Sequence, residues 1–262
     1  MHGSLRGQKA VVTGASSGLG SDFARELAAR GCHLALVARR EDRLRELASE
    51  LAARHGVRSE VVALDLSERG AAAALAERLE ALDMQPDVLV NNAGLGVYGP
   101  FLSTPWDRIE RMLAVDVLAP LELTRRFAAA MAERRRGRLL HVASIAAFQP
   151  APLYAAYGAA KSLVLHFGEA LAFELRGSGV TSTVLCPGVT RTEFFAAAEQ
   201  KALTRYQRMM MMPSADVARI GVRAMVRGRS CVVPGLLNAL GTWMVRFVPR
   251  RLATAVAHRM MR

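Results

Sequence analysis

The sequence predicts an α/β fold: a doubly wound, seven-stranded parallel sheet with helices on both faces and a helical extension at the C-terminal end. Three observations carry that prediction. Short β-branched or Leu-rich runs alternate with longer helical patterns along the 262 residues, and such alternation builds βαβ units with parallel strands. Apolar residues make up 52% and charged residues 22% of the chain, which allows a sizeable core and excludes disorder. No stretch rich in Pro, Gly or Ser and no solenoid-period repeat interrupts the pattern, so residues 1–262 read as one domain.

Taken in order, the apolar run from Ala10 makes 10–13 the first strand, and a glycine-punctuated turn leads into helix 19–30. Strand 33–38 precedes helix 41–55, and strand 59–64 precedes helix 68–82. Strand 87–91 is followed by Thr104-Pro105-Trp106-Asp107, a cap-type residue before Pro with an acid in the first turn of helix 106–135. Strand 138–144, helix 153–176 and strand 180–186 follow. Ser214 is read as the N-cap of helix 214–227, and strand 231–234 completes the sheet. Between them, 190–213 is a long insertion at the carboxyl end of a strand, where a substrate lid sits in sheets of this kind. It carries Phe194, Phe195 and methionines 209–212, which suit either a lid or plain helix packing.

The formal net charge is +12, and nine arginines with no acid fall in residues 217–262, leaving +3 for the rest. The body is therefore nearly neutral. No Cys/His finger spacing, RNA-recognition signature or basic stripe with interleaved aromatics is present, so a nucleic-acid partner is not expected. Cys32, Cys186 and Cys231 form no CxxC pair and read as buried thiols of a reducing compartment. No signal-peptide core precedes the first strand and no run reads as a spanning helix, which makes the expected location cytoplasmic. The basic extension 235–262 ends in an amphipathic helix, with Leu252, Val256 and Met260 on one side and Arg251, His258 and Arg262 on the other. A packed helix with a solvated Arg face, a contact with an anionic membrane surface, a gatherer of acidic substrates, and a cover for the active-site mouth or a partner subunit all fit it.

Chemistry enters at the first turn, Thr13-Gly14-Ala15-Ser16-Ser17-Gly18-Leu19-Gly20. Gly14 allows a tight turn, Gly18 lets the backbone approach a pyrophosphate, and Gly20 permits close helix-to-strand packing, with amides at the helix N-terminus facing the anion. Asp65 and Leu66 follow the third strand, where a carboxylate can accept a hydrogen bond from an adenine amino group. At the end of the second strand, Ala38 offers no acid to the ribose hydroxyls, and Arg39 beside it can pair with a 2′-phosphate. NADP(H) is therefore favoured over NAD(H).

The glycine spacing resembles the TGxxxGxG of the short-chain dehydrogenase/reductase family. Asn91-Asn92-Ala93-Gly94 is similar to its NNAG, Ser144, Tyr157 and Lys161 to its Ser and YxxxK elements, and Pro187-Gly188-Val189 through Thr192 to its PG motif. The resemblance runs from about Lys9 to Pro234 and implies a Rossmann-like fold, a nicotinamide cofactor and a homodimer or homotetramer. It also implies that Tyr157 is the acid/base, that Ser144 holds the carbonyl oxygen, and that hydride passes from the nicotinamide C4. Tyr157 and Lys161 lie one helical turn apart, so the ammonium can favour the phenolate. Asp116 stands where the family usually has a fourth catalytic residue, Asn, and an adjusted proton relay is expected.

The expected activity is reduction of a small-molecule carbonyl with NADPH. Phe101, Phe148, Phe194, Phe195 and the methionine run fit either an apolar pocket for acyl, steroid-like or other lipid ketones, or core packing. The alternatives are NAD-linked alcohol oxidation, or a protein of this fold that senses the cofactor without turnover.

Overall fold

A computed structural model describes residues 4–200 and 202–261. The main sheet has seven parallel strands in the order β3-β2-β1-β4-β5-β6-β9. These are β1 (Lys9–Thr13), β2 (His33–Ala38), β3 (Ser59–Ala63), β4 (Val88–Asn91), β5 (Gly137–Val142), β6 (Val180–Leu185) and β9 (Cys231–Val232). The order reverses between β1 and β4, and a crevice opens there outside the carboxyl ends of the strands.

Alternate residues of each strand serve opposite faces. Val12, Leu36, Val90 and Leu140 pack beneath α1 (Gly18–Ala28), α2 (Glu41–His55) and α9 (Ser214–Val226). Val11, Val37, Leu89 and Leu139 pack beneath α3 (Ala71–Ala81) and α5 (Ala119–Glu133). With both faces covered, the strands read as near-continuous apolar runs.

The expected helix 106–135 is α4 (Trp106–Leu113), a π turn (Ala114–Leu118) and α5 in succession. Pro120 supplies the cause. It lacks an N–H, and its ring would strike the carbonyl of Asp116 four residues earlier, so the chain widens there. α6 (Ala155–Glu174) follows β5, and the lid region holds β7 (Thr190–Arg191), α7 (Phe194–Ala197), α8 (Arg205–Met209) and β8 (Met212–Pro213). β7 and β8 pair with each other, apart from the main sheet.

Two expected caps are corrected. Pro105 and Pro213 occupy the N-cap positions of α4 and α9. Thr104 instead donates to the Pro100 carbonyl, and Ser214 is already helical. Cys186 and Cys231, distant in sequence, bring their Sγ atoms to 4.0 Å as free thiols.

The extension forms α10 (Leu236–Met244) and α11 (Arg250–Met261); Arg262 lies outside the described residues. The expected apolar row of α11 is not its buried row: Ala253 and Ala257 face inward, and Leu252 and Val256 are exposed. Small alanines let the helix backbone approach the body closely. Among the described residues no helix is long and apolar enough to cross a membrane.

Candidate active site

One cavity of about 480 Å³ lies at the carboxyl edge of the sheet. Every residue expected to hold the cofactor or act in catalysis lines it: Gly14, Ser16, Ser17, Gly18, Leu19 and Gly20 from the first turn, Arg39 after β2, Asp65 and Leu66 after β3, and Asn92, Ala93 and Gly94 after β4. Asp116, Ser144, Tyr157, Lys161, Pro187, Gly188, Val189 and Thr192 complete that set.

The floor is built from backbone in close approach. Gly14 and Gly18 sit at φ +68° and +51°, in the left-handed region that side chains resist. A Cβ on Gly18 would come within 2.9 Å of Thr192, and one on Gly20 within 2.1 Å of the Gly14 carbonyl oxygen. Thr13 Oγ1 accepts from the amides of Asn92 and Ala93, and Asn92 Nδ2 donates to the Thr13 carbonyl at 2.8 Å. These bonds tie the ends of β1 and β4 together and leave an amide-lined cradle at the start of α1, which fits a dinucleotide pyrophosphate.

At the ribose end the two arginines differ. Arg39 is more than half exposed, with Nη1 3.8 Å from Asp65 Oδ2. Arg40, which the sequence reading did not single out, donates to Ser16 Oγ at 3.3 Å and to Glu193 at 3.0 Å. Arg43 donates to the other Glu193 oxygen at 2.7 Å. Hydrogen bonds from Arg43 and Arg40 hold the Glu193 carboxyl below its usual range. Asp65 is already engaged by the amide and hydroxyl of Ser67 and by Arg111 at 2.6 Å; although burial pushes its carboxyl up, these partners prevail and hold it low.

At the other end lies a buried charge pair. Lys161 Nζ stands 3.0 Å from Asp116 Oδ2, off the hydrogen-bonding direction, and donates to the Val142 carbonyl at 3.0 Å. Asp116 Oδ1 accepts from the Leu95 amide at 2.6 Å, so the π turn locks the loop after β4 to α6. Complete burial raises the Asp116 carboxyl, and Lys161 and the Leu95 amide oppose that rise.

Lys161 Nζ lies 5.6 Å from the Tyr157 ring centroid. Burial raises the Tyr157 phenol and the Asp116 charge raises it further, while the neighbouring Ser144 hydroxyl works the other way. Asp116 sets a carboxylate beside the Lys161 cation, which opposes the pull of the ammonium on the phenolate. Ser144 Oγ accepts from the Ala146 amide at 3.1 Å, which caps a short 3₁₀ turn and fixes the hydroxyl.

Rings continue from Tyr157 in both directions. Tyr154 stands at 5.7 Å and Phe194 at 5.3 Å, with Tyr98 and Phe195 beyond them. Of the four expected phenylalanines only Phe194 and Phe195 line the cavity; Phe101 is exposed and Phe148 packs against the cluster around Val164 and Val184. The methionine run is absent from the wall. Met209 points to solvent and Met212 packs on the core, and the methionines of the cavity are Met260 and Met261 at the end of α11. Tyr98 Oη donates to the Met261 carbonyl at 3.4 Å, and Thr204 Oγ1 to that of Met260 at 3.1 Å. The C-terminal helix is thus part of the mouth, one of the readings left open for it.

The profile of the short chain dehydrogenase family matches residues 8–203. A very-long-chain 3-oxoacyl-CoA reductase of Pyricularia oryzae is 39% identical over 180 residues, covering 67% of this chain and 54% of that protein. Among solved structures, a short-chain dehydrogenase from Sphingobium yanoikuyae in complex with NADPH superimposes with TM-score 0.79 at 28% identity, over 92% of this chain and 95% of the other. One from Burkholderia phymatum in complex with NAD gives TM-score 0.82 at 26% identity, over 92% and 94%.

Proposed function

Since the chain belongs to the short-chain dehydrogenase family and is an NAD(P)-dependent oxidoreductase, we propose that it reduces an apolar ketone with NADPH, with Tyr157 as the acid/base. The observation that carries this reading is the buried triad of Tyr157, Lys161 and Asp116, which lines the cavity. NADPH, when bound, supplies hydride to the carbonyl carbon. The first turn, Asn92 to Gly94 and Pro187 to Thr192 hold the cofactor. Ser144 orients the carbonyl oxygen and Tyr157 donates the proton to it, while Lys161, fixed by Asp116 and Val142, positions both.

The preference for the phosphorylated cofactor rests on Ser16, Arg39 and Arg40. Glu193 already occupies the guanidinium of Arg40 as an anion, and a 2′-phosphate with three oxygens and a higher charge competes for the same donors. The substrate class rests on the wall of Tyr154, Phe194, Tyr206, Met260 and Met261, which offers acyl or steroid-like carbonyls apolar surface. Residues 190–213 and the end of α11 act as the lid in this reading. The whole is a single-domain cytoplasmic enzyme that assembles as a homodimer or homotetramer, with the exposed Leu102, Trp106 and Leu118 as the surface such an assembly would cover.

The test is NADPH consumption over 3-oxoacyl thioesters, ketosteroids and small ketones, beside NADH. Turnover is expected with bulky apolar ketones, and Arg40→Ala should raise the KM for NADPH about tenfold while leaving that for NADH unmoved. Equal use of both cofactors by the parent and the variant assigns NAD-linked chemistry instead.

A further inference from the structure

α10 is built inside out. Its buried residue is polar: Asn238 donates to the Pro234 carbonyl at 2.9 Å and abuts Gly188, where a Cβ would come within 2.5 Å of its side chain. Its apolar residues face solvent. Leu236 is 85% exposed, Leu237 66%, and Leu240, Trp243 and Met244 about half. Phe247, 69% exposed, continues the same stripe and packs at a tilt against Trp243 with centroids 4.7 Å apart. Positions 236, 240, 243, 244 and 247 share one helical face, and the outward Leu252 and Val256 of α11 add to the exposed apolar surface. A surface helix ordinarily turns this stripe to the core; an exposed stripe of leucines and aromatics marks an interaction surface.

The charges near it identify the occupant. Arg246, Arg250, Arg251 and Arg259 are all exposed, and no carboxylate follows Asp216 in the sequence. A second copy seated isologously would set these arginines against themselves. We propose that the outward face of α10, the Val245–Phe247 turn and α11 is a docking surface for an anionic lipid bilayer. The leucines and the Trp243–Phe247 pair enter the headgroup boundary, and the arginines meet lipid phosphates. Both helices also back onto the cavity, α10 through Gly188 and α11 through Met260 and Met261, so the docked face lies beside the mouth. The inference concerns binding alone and stands or falls without turnover.

The experiment is co-flotation of the full chain with phosphatidylcholine vesicles, with and without about one-third phosphatidylserine. Trp243 emission is followed in a Trp106→Phe background. Binding to the anionic vesicles should exceed that to neutral ones at least tenfold, weaken with salt and blue-shift Trp243, since each arginine at an anionic surface contributes about fivefold. The triple variant Leu237→Ser, Leu240→Ser, Phe247→Ser changes only exposed side chains, which its melting temperature checks. It should lose binding at least tenfold, as should Arg246→Glu with Arg250→Glu. No partition into anionic vesicles, or equal partition by parent and variants, overturns the proposal. So does a triple variant whose lipid binding is intact but whose mass by light scattering has fallen, because that outcome gives the face to a second copy.

Discussion

Asp116 sets what Lys161 can do. With the carboxylate 3.0 Å from the ammonium, little net positive charge faces Tyr157, and the buried phenol is held above its ordinary range. Asp116→Asn removes the compensation and leaves the cation, so the phenolate gains. The activity limb for alcohol oxidation, which needs the phenolate, should move to lower pH by about one unit, and reduction should fail at a correspondingly lower alkaline pH. A pH–rate profile and turnover both unchanged in that variant would remove Asp116 from the relay. The presence of Asp116 was legible in the sequence, but its grip on the Leu95 amide was not, because that contact joins segments 21 residues apart. Arg39 and Arg40 show the same limit. Adjacent guanidiniums look equivalent in a string, and only the geometry of the first turn puts Arg40 against Ser16.

Among the elements, strands and helices followed from pattern because each βαβ unit keeps its own apolar runs. What pattern missed was the break at Asp116. Pro120 was the available signal, since proline disturbs the carbonyl four residues before it. The methionine run left two readings open for a related reason: flexible apolar side chains announce an apolar contact without saying which; Met212 went to the core, and the cavity received Met260 and Met261 from the far end of the chain. The turn between β1 and α1 gives a sharper test. A Cβ at Gly20 meets the Gly14 carbonyl oxygen at 2.1 Å, and backbone cannot give way as a side-chain end can. Gly20→Ala should therefore fold, with a loss of about 1–3 kcal/mol, and bind NADPH at least tenfold more weakly by fluorescence titration. Unaltered affinity would mean that the turn does not form the cradle.

For the whole molecule, acid stability reports on one buried ring under the site. His141 is fully buried, Asn91 Nδ2 stands 3.2 Å from its Nδ1, and burial lowers its pKa from 6.5 to about 4. The unfolded chain takes up this proton first, so stability present above pH 6.5 is lost as pH falls toward 4, by about 3 kcal/mol for this group. Denaturant titrations at neutral and acid pH should show that slope, and His141→Gln should flatten it; an equal slope in both proteins would assign the loss to other groups. Charge divides the molecule in the same way that function does. The body that holds the cavity is nearly neutral, and of the nine arginines that follow Asp216, five lie in the extension 235–262, whose helices turn apolar side chains outward. In the proposed NADPH-dependent ketone reduction, Tyr157 delivers the proton. The most direct test is single-turnover oxidation of bound NADPH by an apolar ketone, comparing the parent chain with Tyr157→Phe. The rate should be lower by a factor of about 10² to 10⁴ in the variant with NADPH affinity unchanged; equal rates in the two proteins would remove Tyr157 from the proton transfer.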